Sequence, residues 1–475
     1  MAMTQKVRSL VSLLALAAVA AGVGLYAYYG VHVKQEAEKT EKEKKEKLFP
    51  DLDKTKLAQI TVTAKGETTV LAHSKSPESW NLLSPVSTLG DKGTIESLID
   101  RLAQMKSKSV VEEKAADLKK YGLDKPSIKV VAKTEDGKEY VLRCGEENAF
   151  DSSVYVALGD SSDVIGAEGN FKYAVEKTPF DLRDKRIVTV EESEISGLEV
   201  TTPNAERYQL TKQDGKWKLI APLVDRADDQ AVTKILSALR NLRASKYVTD
   251  TAGPDDVAKH KLDKPKMEAL LTLTSGARMT LLWSQSDDGA TTYVRRKEAT
   301  FIAEVPGGVF ADVGVTASSL RDKSLLTFEK DKVAKVTFAL ADGPLTLERK
   351  KPEGDAGKSE DWSITAPAPA EAKKWKMNSV LWGLSSLKAT GIAEDAATDL
   401  AKYGLDKPTK TVTLFDADGK ELGTLAFGKE DGNQVFARST AETRIFQVEK
   451  TRMGELPSSR ADLEEIKAAD AGAAK

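Results

Sequence analysis

An α+β fold, repeated three times behind a single apolar leader, is what this sequence predicts. Three observations carry that expectation. A short turn motif recurs at long and nearly equal intervals. The same flanking landmarks return around each occurrence. The segments between landmarks alternate short strand patterns with one helical stripe, without the regular strand–helix alternation of a parallel sheet.

The turn motif reads "YGLDKP" at residues 121–126 and again at 403–408, with a third copy, "HKLDKP", at 260–265. Aligned on Leu123, Leu262 and Leu405, the copies lie 139 and 143 residues apart. A period that long denotes duplicated domains and not a solenoid of short units. Upstream, "WNLLSP", "WKLIAP" and "WSITAP" place Trp80, Trp217 and Trp362 five residues before Pro85, Pro222 and Pro367. The tryptophan-to-leucine gaps are 43, 45 and 43 residues. Downstream, "LRDKRIV" at Leu182 matches "LRDKSLL" at Leu320, with "SSRADL" before Glu464 as a weaker third. Four landmarks in register predict a tandem triplication over residues 48–190, 191–328 and 329–463, with 464–475 as a disordered tail.

Each copy reads in one order. A hairpin comes first, as in "AQITVTA" with "TTVLAHS", and the tryptophan strand follows. A helix is expected over "TIESLIDRLAQMKSKSVV", where Ile95, Leu98, Ile99, Leu102 and Met105 form an i, i+3, i+4, i+7 stripe. "AVTKILSALRNLRASKYV" and "NSVLWGLSSLKATGI" repeat it. The turn motif then redirects the chain. Pro126, Pro265 and Pro408 disfavour a helical lysine before them, and Gly122 and Gly404 suit a left-handed position at the end of a helical turn. Tyr121, Leu123, Tyr403 and Leu405 are left to pack on the core, as is Leu262 in the middle copy. A second hairpin follows, with "EDG", "TSG" and "ADG" at its tips, and then a late pair of short strands. The expected module is therefore a set of antiparallel hairpins packed on one amphipathic helix.

The leader stands apart. Between Ser9 and Val31 no residue is charged, and 23 helical residues reach about 34 Å, enough for a bilayer core of about 30 Å. Residues 9–33 are expected to be an uncleaved transmembrane helix, with residues 1–8 cytoplasmic. A cleaved signal peptide is the competing reading, given the small residues of "AAVAAG". No cysteine lies near the end of the run, so a lipoprotein anchor is excluded. Residues 34–47 then alternate Lys and Glu, with Glu38–Lys42, Glu41–Lys45 and Glu43–Lys47 at helical i, i+4 spacing. They are expected to form a charged helical stalk or linker. Lysines follow the span more densely than they precede it, yet glutamates interleave them. The bulk of the chain is expected outside the cytoplasm, in the periplasmic or extracytoplasmic space beside the inner membrane.

Composition narrows the function classes. The 475 residues carry 71 basic and 73 acidic side chains, a net charge of −2, which gives no general pull toward nucleic acid. The single cysteine, Cys144, excludes an intrachain disulfide and a multi-cysteine zinc site, and its strand context favours burial. "GDAGKS" at 354–359 lacks the first glycine of a phosphate-binding loop, because Pro352 stands there. Asp225, Asp228 and Asp229 cluster without calcium-loop spacing and suit a helix start. His32, His73 and His260 are isolated. The Arg183–Asp184 and Arg321–Asp322 neighbours are read as an anchoring ion pair or a partner contact. No catalytic, cofactor-binding or metal-ligating residue is predicted.

The tandem tryptophan strand, amphipathic helix and "YGLDKP" turn resemble the bacterial domain-of-unknown-function family numbered 4340, over residues from about 48 to 463. The middle copy departs from the pattern at His260-Lys261. The resemblance implies a single N-terminal membrane segment and an extracytoplasmic accessory role beside ABC-transporter components of the gliding-motility type. Its implied partners are membrane lipid, through the N-terminal helix, and subunits of a membrane complex. It implies no cofactor and no catalytic residues. The expected function is a non-catalytic scaffold or interaction subunit. The alternative is an envelope hydrolase or a glycan- or peptide-binding protein with its site at a domain junction.

Overall fold

The computed structural model describes residues 5–26, 28–30, 35, 46–350 and 361–465. The helix α1 spans Gln5–Tyr26, 22 residues. Among the residues described with their side chains, which for α1 begin at Leu16, no helix is long and apolar enough to cross a membrane. Most of the expected stalk, residues 34 and 36–45, and the phosphate-loop-like stretch at 354–359 lie outside the described residues.

The remaining described residues build three antiparallel sheets of nine strands each, with few helices. The fold is mixed α+β, but the hairpins do not stand as separate layers on a helix. In the first copy they fuse into one sheet. Its strands are β1 (Leu57–Ala64), β2 (Glu67–Lys75), β3 (Glu78–Ser84), β4 (Thr88–Leu89), β5 (Ser107–Glu112), β6 (Ile128–Thr134), β7 (Glu139–Glu147), β8 (Val154–Leu158) and β9 (Val164–Ala167). Their spatial order is β4-β3-β2-β1-β6-β7-β8-β9-β5. The union of the two hairpins is made by β1 and β6, which pair from Leu57–Thr134 to Ala64–Ile128. The other two sheets repeat this order strand for strand.

Alternation explains how each sheet buries one face. In β1, Ile60, Val62 and Ala64 are buried while the residues between them are partly exposed. Against that face lies α2 (Lys92–Gln104), which buries Ile95, Leu98, Ile99 and Leu102, the predicted stripe. Asp91 caps it by accepting the Thr94 N–H at 2.9 Å. The counterparts are α3 (Asp229–Arg240) and α4 (Lys374–Ser385). The helices stop sooner than the sequence suggests. "SKSVV" is not helical but forms the edge strand β5, paired with β9. Beyond Met105 the apolar stripe ends, and two adjacent β-branched valines favour a strand. Lys246–Thr249 and Gly391–Glu394 are strands for the same reason of position.

Compactness divides the chain into two units, Met1–Ile195 with Ser237–Val313 and Ser196–Leu236 with Gly314–Lys475. The first unit holds the join between the first and second copies. The second holds the join between the second and third. The expected tail starts too early, since Glu464 bridges to Ala372 and the Glu465 N–H donates to the Glu371 carbonyl; residues 466–475 lie outside the described residues.

Candidate functional site

The signature tryptophans sit at one structural position in all three copies. Trp80, Trp217 and Trp362 are buried, and each faces a cross-strand neighbour: His73, Lys212 and Arg349. The His73 ring stacks on Trp80 at 4.9 Å, the Lys212 ammonium lies 5.9 Å from the Trp217 ring centre, and the Arg349 guanidinium 5.3 Å from that of Trp362. One face of each indole therefore meets the core and the other a nitrogenous group, the geometry of a cation–π contact where that group is charged. The tryptophan carbonyls accept the N–H of Gly90, Ala227 and Ala372, just ahead of each long helix. Strand and helix start are thereby pinned together. Pro85, Pro222 and Pro367 each follow a cis peptide bond.

The turn motif is a staple on the opposite sheet face. Gly122 and Gly404 adopt φ of 66°, closing a short helical turn, and Lys261 holds the same left-handed region at 57°. The aromatic residue before each makes an edge contact with the late strand: Tyr121 with Tyr155 at 5.0 Å, His260 with Tyr293 at 4.7 Å, Tyr403 with Phe436 at 4.9 Å. Leu123 and Leu405 complete small apolar clusters there, and Leu262 is buried likewise. Tyr121 also donates to Glu112 at 2.6 Å, and Tyr403 to Glu394. Opposite the turn the chain passes so close that a Cβ on Gly145 would fall 1.9 Å from the Tyr121 carbonyl oxygen, and one on Gly428 would fall 2.2 Å from that of Tyr403. The middle copy solves this differently. Ser284 stands at that place, and its hydroxyl donates to the His260 carbonyl. Pro126, Pro265 and Pro408 then lead into the strands Ile128–Thr134, Met267–Leu273 and Lys410–Phe415.

The Leu-Arg-Asp-Lys segments join one copy to the next. Leu182 and Leu320 carbonyls accept the N–H groups of Asp91 and Asp228, in their own copies. The Lys185 and Lys323 carbonyls accept those of Ala244 and Ala389, in the following copies. The arginines do not pair with the adjacent aspartates, as the sequence suggested. Arg183, 8% exposed in its side chain, pairs with Asp250 and lies over Tyr247 at 3.3 Å. Arg321 pairs with Asp395, at the equivalent place after the strand Gly391–Glu394, and with Asp225 at 2.6 Å.

The two joins share this latch and differ in what surrounds it. Around Tyr247 stand Phe301 at 5.5 Å and Phe180 at 6.2 Å. Around Arg321 stands a charge network. Arg444 reaches Asp225 at 3.1 Å and also pairs with Glu442, which Arg226 meets at 2.7 Å; Lys388 reaches Asp228 at 2.7 Å. The Arg321 hydrogen bond holds Asp395 below the usual carboxylate range. In the third copy Glu464 occupies the latch position and pairs with Arg460.

Among the described residues no group of three His, Cys, Asp or Glu side chains is placed to hold a metal ion. Cys144 is buried, and burial pushes its thiol up to about 12, which leaves it a packing residue. Asp225 serves the latch, and Asp228 the start of α3, where its carboxylate accepts the Gln230 and Ala231 N–H groups. Sequence reasoning missed the partners Tyr247, Asp250 and Asp395, because no local pattern marks them.

A feature that breaks the threefold pattern lies on α4. Trp375 and Trp382 are 69% and 57% exposed. Counting from the residue before each helix, their counterparts are Gly93 and Asp100 in α2, and Gln230 and Ser237 in α3. Lys330, Arg349, Asn378 and Ser379 join the two indoles around an open groove of about 570 Å³.

No curated protein matches the chain. The sequence profile of a domain of unknown function, DUF4340, matches it in three segments, residues 80–265, 217–361 and 362–468, each starting on a signature tryptophan. With a buried indole, a stapled turn and a latch in register, this three-copy chain belongs to the DUF4340 family.

Proposed function

We propose that the chain is a membrane-tethered, non-catalytic interaction subunit of a bacterial envelope assembly, of the ABC-transport or gliding type that its family resemblance suggests. The observation that carries this reading is the exposed pair Trp375 and Trp382 on α4. Two copies of the module keep polar residues or glycine at these positions, so the fold itself does not require indoles there. Large apolar rings left in water on a well-packed scaffold mark a contact surface, and tryptophan is enriched among residues that dominate binding energy. The partner is a protein with an apolar, shape-matched patch. In this reading the tether is the uncharged stretch from Ser9 to Val31, with the three copies on the outer side of the inner membrane.

Crosslinking followed by affinity capture from native membranes tests this. The wild-type chain is expected to recover transporter or envelope subunits, and a Trp375→Ala, Trp382→Ala double variant to lose them while keeping its circular dichroism. Equal recovery by both proteins rejects the reading. A compartment-sensitive reporter fused to the C-terminus tests the orientation, and activity only in the cytoplasm rejects it.

A further inference from the structure

We infer that the tryptophan corner of the first copy is a pH-responsive clamp: protonated His73 grips the Trp80 indole, and neutral His73 lets it loosen. All three copies place a nitrogenous side chain directly across from the signature tryptophan. His73 faces Trp80, Lys212 faces Trp217 and Arg349 faces Trp362. Lysine and arginine stay charged through the neutral range, so the second and third copies hold a permanent cation over the indole. Histidine ordinarily changes charge near about pH 6.5. The first copy alone makes the contact conditional on a proton.

The geometry suits the charged form. The two rings stack with centres 4.9 Å apart and planes 26° from parallel, which sets the imidazole over the indole face. A neutral imidazole holds that place by dispersion, and an imidazolium adds attraction to the negative face of the indole. His73 is only partly buried, so the ring keeps access to water when it is charged. Among the described residues no hydrogen bond or ion pair reaches the imidazole. The charged groups around it are engaged elsewhere. On its own strand Lys75 pairs with Glu135 at 2.6 Å, and on β3 Glu78 lies opposite Lys75. On β1 the register at this end of β2 is neutral, Gln59 opposite Ala72. The short helix Pro179–Leu182 packs on β2, and its Asp181 accepts from the Thr178 N–H and hydroxyl. In the cavity that Trp80 lines, Arg186 pairs with Asp184 and Arg243 with Asp91. Carboxylates, lysines and arginines ordinarily titrate outside the histidine range.

The corner so gripped also carries the first join. The Trp80 carbonyl accepts the Gly90 N–H at 2.8 Å, the Asp91 N–H donates to the Leu182 carbonyl, and the Asp184 N–H donates to the Leu89 carbonyl at 2.9 Å. Stability that a cation gains from a folded partner is present at low pH and fades as the proton leaves, so the clamp tightens on mild acidification. This device stands apart from the interaction reading and needs no partner.

Amide hydrogen exchange of the full chain in detergent tests it, read on β3 at about pH 5.5 and about pH 8 and corrected for the intrinsic rate at each. Wild-type β3 is expected to be about two- to five-fold better protected at the lower pH. His73→Lys, which copies the second repeat, is expected to keep the higher protection at both, and His73→Gln the lower at both. The strand Lys216–Ala221, beside the permanent cation Lys212, serves as the control and is expected not to change. Equal protection of wild-type β3 at the two pH values overturns the inference. So does a pH effect that persists in His73→Lys or His73→Gln, because another group would then carry it.

Discussion

The guanidinium of Arg183 lies 3.3 Å from the centre of the Tyr247 ring, and the two side chains belong to different copies of the module. A buried arginine that both stacks and pairs with Asp250 is hard to replace. Lysine keeps the charge but not the planar contact. Arg183→Lys is expected to weaken the first join by about 1–2 kcal/mol, and Arg183→Ala by about 3 kcal/mol or more, since it strips the stacking partner as well. Hydrogen exchange of the strand Lys246–Thr249 measures this, because faster exchange there reports local opening and not global unfolding. Unchanged protection in Arg183→Ala would refute the latch role.

Acidification is expected to loosen the second join. Asp395 is held below its ordinary range chiefly by its hydrogen bond from Arg321. A depressed carboxylate contributes stability that is fully present above its unfolded value and is lost as pH falls through its folded value. The second join should thus be unaffected between neutral pH and about pH 5, and should loosen below about pH 4. Limited proteolysis with an acid-active protease at graded pH reads this as cleavage near Gly391–Glu394. Asp395→Asn should remove the pH dependence at that site.

The turn glycines make a sharp set of predictions. Gly145→Ala would drive a methyl to 1.9 Å from the Tyr121 carbonyl oxygen, so the backbone must move. Gly404→Ala adds the left-handed penalty of about 1–2 kcal/mol to a Cβ placed 2.8 Å from the Lys429 nitrogen. Lys261→Gly, in the middle copy, relieves that penalty but loosens the unfolded chain, so it should come out within about 1 kcal/mol of neutral. Thermal denaturation of the three variants ranks them, with the two alanine variants well below wild type and Lys261→Gly beside it. A neutral Gly145→Ala would contradict the close packing described.

Truncating a signature tryptophan tests whether the indole is structural. Trp362 is 1% exposed, and Trp362→Ala should cost about 3–5 kcal/mol. Arg349→Leu keeps the packing volume and removes the cation, so its cost should be nearer 1 kcal/mol. Chemical denaturation followed by tryptophan fluorescence distinguishes the two.

Cys144 offers a clean probe of unfolding. Its burial and raised thiol predict no reaction with a thiol-selective disulfide reagent at pH 8 in the folded chain, and full reaction in denaturant. Rapid labelling of the native protein would show that β7 opens readily.

What the sequence determined by itself was everything that depends on neighbours along the chain. The stripe from Ile95 to Leu102 specifies a helix face, the alternation in β1 a half-buried strand, and the prolines and glycines of the turn motif a change of direction. The recurrence of these signals also exposed the three copies. The sequence could not decide what depends on meeting through space. Residues 107–111 read as the end of a helix, yet they belong to a strand because β9 lies beside them to pair. Arg183 and Arg321 read as partners of the next residue, yet they reach carboxylates 67 and 74 positions away. Charge pairing follows distance in space, and a buried guanidinium takes whichever carboxylate the packing of sheets brings to it. Only the tertiary structure could show, too, that Trp375 and Trp382 face water, since α4 carries apolar residues beyond one stripe and the sheet chooses which of them it covers.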